Sequence, residues 1–255
     1  MSPSIDQMLL RRPATNLEAI RDLDDLQERY ESKYVVTVAT AADMVDALDP
    51  SWRVLEVAGR RSTAYHSSYF DDENFGLFRD HVKGRRLRYK VRTRQYENDP
   101  AEMLEIKLKL GRGATDKRRV TRTGSISTEL TTAERRWVSD MVFDAYGRRL
   151  EGPLAFALGL GYTRRTMFNP ATGERLTIDT DLVAEAEGAS TAPVGEAVVI
   201  EVKGVHWYGP TVRLLQRRSV RTLTFSKYCA ALASLYPDLD QRARHRAQRS
   251  FERYS

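Results

Sequence analysis

Five cations alternate with other residues along one short segment of the chain. In residues 85–96 the even positions hold Arg86, Arg88, Lys90, Arg92 and Arg94, while the odd positions include Leu87, Tyr89 and Val91. Successive side chains of a β-strand point to opposite faces, so the pattern predicts a strand with one apolar and one cationic face. A multiply charged anion would stabilise such a row, and guanidinium groups bind phosphates bidentately.

The same division into an apolar and an ionic face recurs in four other segments. They are residues 29–33, 102–110, 175–179 and 200–203. Any one of them alone fits an open antiparallel sheet whose ionic face is solvated. Five together favour strands that close into a barrel, with the ionic faces inside and the apolar faces packed on helices. Carboxylates among the cations can hold a divalent ion against bound phosphates.

The elements that would position these residues give an α+β fold. Strands are predicted at residues 30–38, 52–57, 62–69, 85–96, 102–110, 117–122, 161–168, 174–180 and 197–206. Helices are predicted at residues 17–26, from a cap at Thr40 or Asp43 to Pro50, at 72–82, at 132–146 with Thr132 as the cap, and at 226–236. Residues 111–113 (GRG) lack the rest of a P-loop and predict a hairpin turn.

Composition limits the class of protein. The chain has 255 residues, a net charge of +6 and one cysteine, Cys229. One domain is expected at this length, and the basic balance favours anionic partners. A single cysteine excludes an internal disulfide framework, and no run of eighteen apolar residues predicts a membrane span, so a cytoplasmic protein is expected. The four histidines show no metal-ligand spacing.

Eight short segments resemble, in order, the motifs of the vacuolar transporter chaperone (VTC) catalytic domain, the polyphosphate-polymerase branch of the CYTH-like triphosphate tunnel metalloenzymes. They are residues 29–34 (RYESKY), 68–71 (SYFD), 92–96 (RTRQY), 104–107 (LEIK), 162–164 (YTR), 175–179 (RLTID), 200–203 (IEVK) and 225–228 (FSKY). The resemblance covers about residues 28–236, with an extension at 1–27 and an Arg-rich segment at 237–255. It implies an antiparallel β-barrel tunnel with a basic interior, as in a stand-alone bacterial-type member.

The resemblance also implies roles for particular residues. The phosphate-gripping catalytic cations would be Arg92, Arg94, Lys107, Arg164, Arg175 and Lys227. Further phosphate contacts would come from Lys33, Arg88, Lys90, Tyr162 and Lys203. Glu201 would hold Mn²⁺ or Mg²⁺, with Glu31 and Glu105 as second candidates. Arg29 stands where other branches of the superfamily begin a Glu-x-Glu-x-Lys strand, which favours the polymerase branch.

Three functions remain open at this point. The first is a polyphosphate polymerase that moves the terminal phosphate of ATP onto a polyphosphate chain. The second is a triphosphatase acting on tripolyphosphate or a nucleoside triphosphate. The third is a non-enzymatic polyphosphate or nucleic-acid binding module, suggested by the net charge and by the arginines of residues 242–253. No stable nucleic-acid partner is expected under the first two.

Overall fold

The structure is a computed structural model of the chain. It describes residues 4–24, 30–97, 99–111, 114–122, 128–150, 152–186, 189–190, 197–224, 226–236 and 238–239. Arg29, Phe225, the end of the helix predicted at 17–26 and the Arg-rich segment 242–253 lie outside these residues.

Eleven strands and seven helices make up the described part of the chain. The strands are β1 (Ala14–Thr15), β2 (Tyr30–Val36), β3 (Arg53–Leu55), β4 (Thr63–Asp71), β5 (Arg88–Tyr96), β6 (Asp99–Lys109), β7 (Thr115–Arg122), β8 (Ala155–Asn169), β9 (Glu174–Ala186), β10 (Ala189–Ser190) and β11 (Val198–Gly204). The helices are α1 (Ile5–Leu10), α2 (Leu17–Asp24), α3 (Val38–Asp46), α4 (Gly76–Val82), α5 (Thr132–Tyr146), α6 (Pro210–Arg217) and α7 (Lys227–Leu235).

One sheet contains all the strands and curls into a barrel-like tunnel. Its main path is β2-β11-β9-β8-β4-β5-β6-β7, and every pair along it is antiparallel. The curl brings distant strands of this path to the start of α7, where Ser226 accepts a hydrogen bond from Lys90 of β5 and Lys227 donates to Glu201 of β11. The predicted α+β fold with an antiparallel β-barrel tunnel is therefore confirmed.

The apolar faces of the strands point outward onto helices, as the alternation predicts. Ile200 and Val202 are buried in one core cluster with residues of α1, α3 and α6. Val91, Leu104, Ile106 and Leu108 form a second cluster with Val138 and Val142 of α5. Burial of these side chains, at roughly 25 cal/mol per Å², holds the helices on the sheet and leaves the ionic face free to line the tunnel.

Helix α7 packs on the concave side of the curled sheet. Its Tyr228, Ala231 and Leu232 share a third cluster with residues of β2, β4, β8, β9 and β11, including Tyr69 and Val199. The helix thus closes part of the tunnel and carries Lys227, its first residue, to the interior.

Three local predictions were wrong. Helix α3 is capped by Thr37, whose hydroxyl accepts from the amide of Thr40, and neither Thr40 nor Asp43 is the cap. Helix α5 is capped by Thr131 in a capping box with Glu134, one residue before the predicted Thr132. In both, the residue that retains an extended backbone is the one whose side chain can reach the free amides of the first turn.

The third error concerns Arg86. Strand β5 begins at Arg88, so Arg86 is exposed outside the sheet and the row holds four cations rather than five. A turn after α4, with Gly84 at φ 67°, occupies the residues before the strand. Residues 112–113 of the predicted hairpin turn lie outside the described residues, while β6 and β7 on either side of them pair antiparallel and the amide of Leu110 donates to the carbonyl of Ala114.

Candidate functional site

Strand pairing places the predicted site residues of the strands on one face, the concave one. Directly opposed residues share a face. The pairs that establish it are Lys33–Glu201, Glu31–Lys203, Lys203–Arg175, Arg164–Asp179, Tyr65–Tyr162, Tyr69–Arg92, Arg92–Glu105, Lys90–Lys107 and Arg88–Lys109. The side chain of Lys107 is exposed to solvent, whereas Arg94 is buried.

A network of two carboxylates and two cations lies where β8, β9, β11 and α7 meet. The Nε and Nη2 atoms of Arg164 bind the two oxygens of Asp179 at 2.6 and 2.7 Å. Lys227 Nζ lies 2.7 Å from Asp179 Oδ2 and 2.8 Å from Glu201 Oε1. Burial opposes ionisation of Glu201, but Lys227 and the other nearby cations outweigh it and hold the pKa of Glu201 well below its usual range.

Lys227 is therefore an ion-pair partner of two carboxylates in this structure. Burial lowers its pKa, yet Glu201 and Asp179 raise that pKa well above the ordinary value of a lysine. Its position is fixed by the neighbouring Tyr228, whose hydroxyl donates to Asp71 at 2.5 Å. Asp71 also accepts the amides of Leu77 and Phe78 at the start of α4.

Two further carboxylates in the tunnel are also paired. Arg92 donates to Glu105 Oε2 from Nε at 2.8 Å and from Nη2 at 2.7 Å, and Lys117 Nζ lies 3.5 Å from Glu105 Oε1. Lys33 Nζ lies 2.8 Å from Glu31. Against the opposing effect of burial, these cations lower the pKa of Glu105 and of Glu31 to about 2.

Four tunnel cations on β5 and β6 have no carboxylate within ion-pair distance in the described part of the chain: Arg88, Lys90, Arg94 and Lys107. Lys90 Nζ donates to Ser226 Oγ at 2.7 Å, and Arg94 Nε donates weakly to Ser67 Oγ at 3.4 Å. Burial, with the nearby Lys33 and Lys107, lowers the pKa of Lys90 to about 8. Lys107 opens to solvent inside the tunnel, but partial desolvation by the surrounding strands, together with Lys33 and Arg92, also lowers its pKa.

This crowding of like charges has a direct consequence. A lowered lysine pKa means that the protein disfavours the charged form, and a bound anion would reverse that preference. The four cations therefore form a surface that a polyanion would stabilise, whereas Arg92, Arg164 and Lys227 are already neutralised by carboxylates of the protein. The sequence analysis divided these cations into catalytic residues and further phosphate contacts, but not into those with and those without a carboxylate partner.

The donor set suits a weakly bound divalent ion rather than a preformed metal cage. No group of three or more His, Cys, Asp or Glu side chains that could hold a metal occurs among the residues that the structure covers. Glu201 uses Oε1 for Lys227, and Arg164 Nη2 lies 4.0 Å from its Oε2. One carboxylate oxygen fits Mg²⁺ or Mn²⁺ when water and substrate phosphates complete the shell. Both oxygens of Glu105 face cations.

Tyr162 contributes its ring to the site. Arg164 lies over this ring at 5.3 Å and Lys227 at 5.4 Å from its centroid. Tyr65 stacks on Tyr162 at 5.1 Å and contacts Tyr96 edge-on at 4.8 Å. The sequence analysis missed Asp179 as a central residue, although its alternation with Arg175 and Thr177 placed it on the ionic face. It gave no role to Ser226, which caps α7 and accepts from Lys90.

A family model described as the VTC domain matches residues 28–236. The chain belongs to the VTC domain family. No curated protein sequence matches it. Similar solved structures include the PH1819 protein from Pyrococcus horikoshii OT3, with 11% identity over 76% of this chain and 92% of that chain and a TM-score of 0.39. Another is HpAC1 from Hippeastrum, described as a putative adenylyl cyclase with a dominant triphosphatase activity, with 16% identity over 84% of this chain and 99% of that chain and a TM-score of 0.44.

Membership of the VTC domain family, together with a tunnel lined by Arg and Lys, supports an enzyme of phosphoryl transfer or triphosphate hydrolysis. Among the helices described, none combines the length and the apolar character needed to cross a membrane.

Proposed function

We propose that this VTC domain protein is a polyphosphate polymerase, which transfers the terminal phosphoryl group of ATP to the end of a polyphosphate chain held in the tunnel. The observation that carries the proposal is the row of cations on β5 and β6 that have no carboxylate partner among the described residues. These charges need an anionic partner longer than a single phosphate, because they follow one another along two paired strands. A phosphate chain has matching repeated charge.

For this reaction the protein mainly has to position the two substrates and neutralise the charge of their phosphates. The bond between the γ-phosphorus and its bridging oxygen breaks, and a terminal oxygen of the acceptor phosphate forms the new bond, releasing ADP. Because the acceptor is already anionic, no general base is required. Arg94, Lys90 and Lys107 would neutralise the phosphate oxygens, while Arg92 and Arg164, held rigid by their carboxylates, would orient them.

Glu201 would hold Mn²⁺ or Mg²⁺ through its Oε2 atom. Such an ion neutralises charge between neighbouring phosphates when it is bound. The pairing of Glu201 Oε1 with Lys227, and of Lys227 with Asp179, would fix the orientation of that carboxylate. Asp71 and Tyr228 support the arrangement by anchoring α7.

The test is the product formed from ATP. Purified protein is incubated with ATP and Mn²⁺, and the products are separated on a polyacrylamide gel stained for polyphosphate. The proposal predicts ADP together with long phosphate chains. ADP and orthophosphate without phosphate chains would make the protein a triphosphatase, in which water replaces the acceptor. Unchanged ATP together with tight, salt-dependent binding of duplex nucleic acid would favour the binding module instead.

Two matched variants test whether ATP is consumed in the tunnel. Arg94→Ala removes one of the cations that have no carboxylate partner, and we expect it to slow ATP consumption at least tenfold. Arg86→Ala removes an exposed arginine just before β5 and should behave as the parent. Equal effects of the two substitutions would contradict the assignment of the tunnel as the site.

A further inference from the structure

A cluster of exposed aromatic rings lies on and beside the loop between β11 and α6. Trp207 and Tyr208 are exposed by 51% and 57%, and their rings meet edge-on with centroids 6.4 Å apart. Tyr30, the first residue of β2, is exposed by 48% and meets Trp207 edge-on at 5.6 Å. We call these three rings the aromatic patch. Contiguous exposed apolar surface marks an interaction site, whereas single exposed apolar residues are common on any protein.

The fold fixes both ends of this loop. Tyr30 lies directly opposite Gly204, the last residue of β11. At the other end, Glu174 is buried and accepts hydrogen bonds from the amide and the hydroxyl of Thr211 in the first turn of α6. The carbonyl of Tyr208 accepts a further hydrogen bond from Arg213 of α6 at 2.8 Å. The exposed rings are therefore presented to solvent from a firmly held base.

The segment that carries the loop and α6 is basic. Residues 204–224 contain four arginines, one histidine and no Asp or Glu. All four arginines are exposed, and in the described part of the chain none has a carboxylate within ion-pair distance: Arg213, Arg217, Arg218 and Arg221. Arg217 lies one helical turn after Arg213 and so shares the face of α6 that adjoins Tyr208. Exposed rings and exposed cations therefore adjoin each other.

We propose that the aromatic patch and the arginines of α6 dock the protein on a bilayer that contains anionic lipids. Trp and Tyr have an apolar ring with a polar NH or OH group, which suits the boundary between headgroups and acyl chains. Apolar insertion together with cations that attract anionic headgroups holds a protein at such a surface more firmly than either does alone. A second copy of the chain suits the patch less well, because two facing sets of arginines would repel each other.

Flotation of the purified protein with lipid vesicles tests the proposal. One set of vesicles is pure phosphatidylcholine, and the other is an equimolar mixture of phosphatidylcholine and phosphatidylglycerol. Tryptophan emission gives a second reading, because Trp207 is half-exposed while Trp52 is buried. We expect at least about tenfold stronger binding to the mixed vesicles, with a shift of the emission to shorter wavelength as Trp207 leaves water. Salt at about 1 M should weaken this binding, since charges are then screened beyond about 3 Å.

Aromatic variants test the patch itself. The double variant Trp207→Ala/Tyr208→Ala removes two of its rings and should bind the mixed vesicles at least about tenfold more weakly. Phe143→Ala removes a ring of similar exposure, 47%, on α5 and should bind as the parent does. Trp207→Phe keeps an aromatic ring and should still float with the vesicles, but without the emission shift. Thermal unfolding verifies that each variant is folded.

A matched pair of charge variants tests the arginines. Arg217→Gln/Arg218→Gln removes two exposed cations of the basic segment, and Lys83→Gln/Arg86→Gln removes the same net charge from exposed positions after α4. Each cation near an anionic membrane strengthens binding about fivefold, so the first variant should bind the mixed vesicles about twentyfold more weakly. The second should stay within about threefold of the parent, because salt screens distant charges.

Failure of the parent to bind the mixed vesicles, or equal binding by the parent and Trp207→Ala/Tyr208→Ala, refutes membrane docking. Dimer formation or binding of single-stranded DNA that the same double variant abolishes also refutes it, because the patch then serves another partner. The proposed function depends on the tunnel cations and stands or falls separately from these results.

Discussion

The substitution Glu201→Gln tests most selectively whether Glu201 holds a metal ion while the tunnel cations bind phosphate. The amide has nearly the shape of the carboxylate and lacks its charge. In the parent, Glu201 contacts Lys227 at 2.8 Å and lies 4.0 Å from both Lys33 and Arg164. After the substitution, Lys227 keeps its contact with Asp179 at 2.7 Å and therefore still has a carboxylate partner.

The expected magnitudes follow from these contacts. The stability loss is that of weakening one charge-assisted hydrogen bond, about 1 kcal/mol, which lowers the melting temperature by roughly 2–4 °C in a domain of this size. Tripolyphosphate binding stays the same or becomes tighter, since the tunnel loses a negative charge. Turnover of ATP with Mn²⁺ falls at least about a hundredfold, equivalent to about 2.7 kcal/mol of transition-state stabilisation.

The assay measures ADP release with Mn²⁺ at saturating ATP, beside calorimetric binding of tripolyphosphate and thermal unfolding. Glu73→Gln, a substitution of an exposed glutamate, is the matched control and should leave all three readings unchanged. If Glu201→Gln turns over ATP at the parental rate, Glu201 serves only as an ion-pair partner of Lys227, and the reasoning that gives it a metal is refuted.

Three further results are expected. Tripolyphosphate binding should weaken as the pH rises from 7 to 9.5, because Lys90 and Lys203, with their pKa values lowered to about 8, lose charge in that window, and Lys90→Met should make the calorimetric pH profile less steep. Lys227→Met leaves two buried carboxylates without their shared cation and should lower the free energy of unfolding in urea by about 3–5 kcal/mol. Gly209→Ala places a methyl group against the Glu174 carboxylate that binds the start of α6, and should cost about 1–3 kcal/mol in the same assay, whereas Gly152→Ala has open space and should cost little.

The curled sheet could be predicted because polar and apolar residues alternate along its strands, and this alternation follows from the different surroundings of the two faces. A strand between helices and a charged interior must present opposite chemistry on its two faces, and Val91 and Arg92 on adjacent positions do so. Strand ends were less predictable. Residues 85–87 continue the alternation but form a turn, because backbone conformation there follows Gly84 and the end of α4 rather than side-chain pattern.

The pairing of charges could not be predicted from the sequence. Arg92 and Arg94 have the same residue type and share a face, yet Arg92 binds Glu105 while Arg94 has no carboxylate partner in the described part of the chain. Which cation is neutralised depends on cross-strand register, since Arg92 lies opposite Glu105 and Arg94 opposite Met103. The place of Lys227 depends on the docking of α7, which strand alternation does not encode.

Calorimetric titration of tripolyphosphate into the parent, Arg94→Ala and Arg86→Ala proteins tests the central claim most directly. The claim is that the tunnel cations without carboxylate partners bind the phosphate chain. A charged contact with phosphate contributes about 1.5–3 kcal/mol, so Arg94→Ala should weaken binding by roughly tenfold to a hundredfold, while Arg86→Ala binds as the parent does. Parental affinity in Arg94→Ala, or an equal loss in Arg86→Ala, would show that phosphate binds outside the tunnel and would contradict the account.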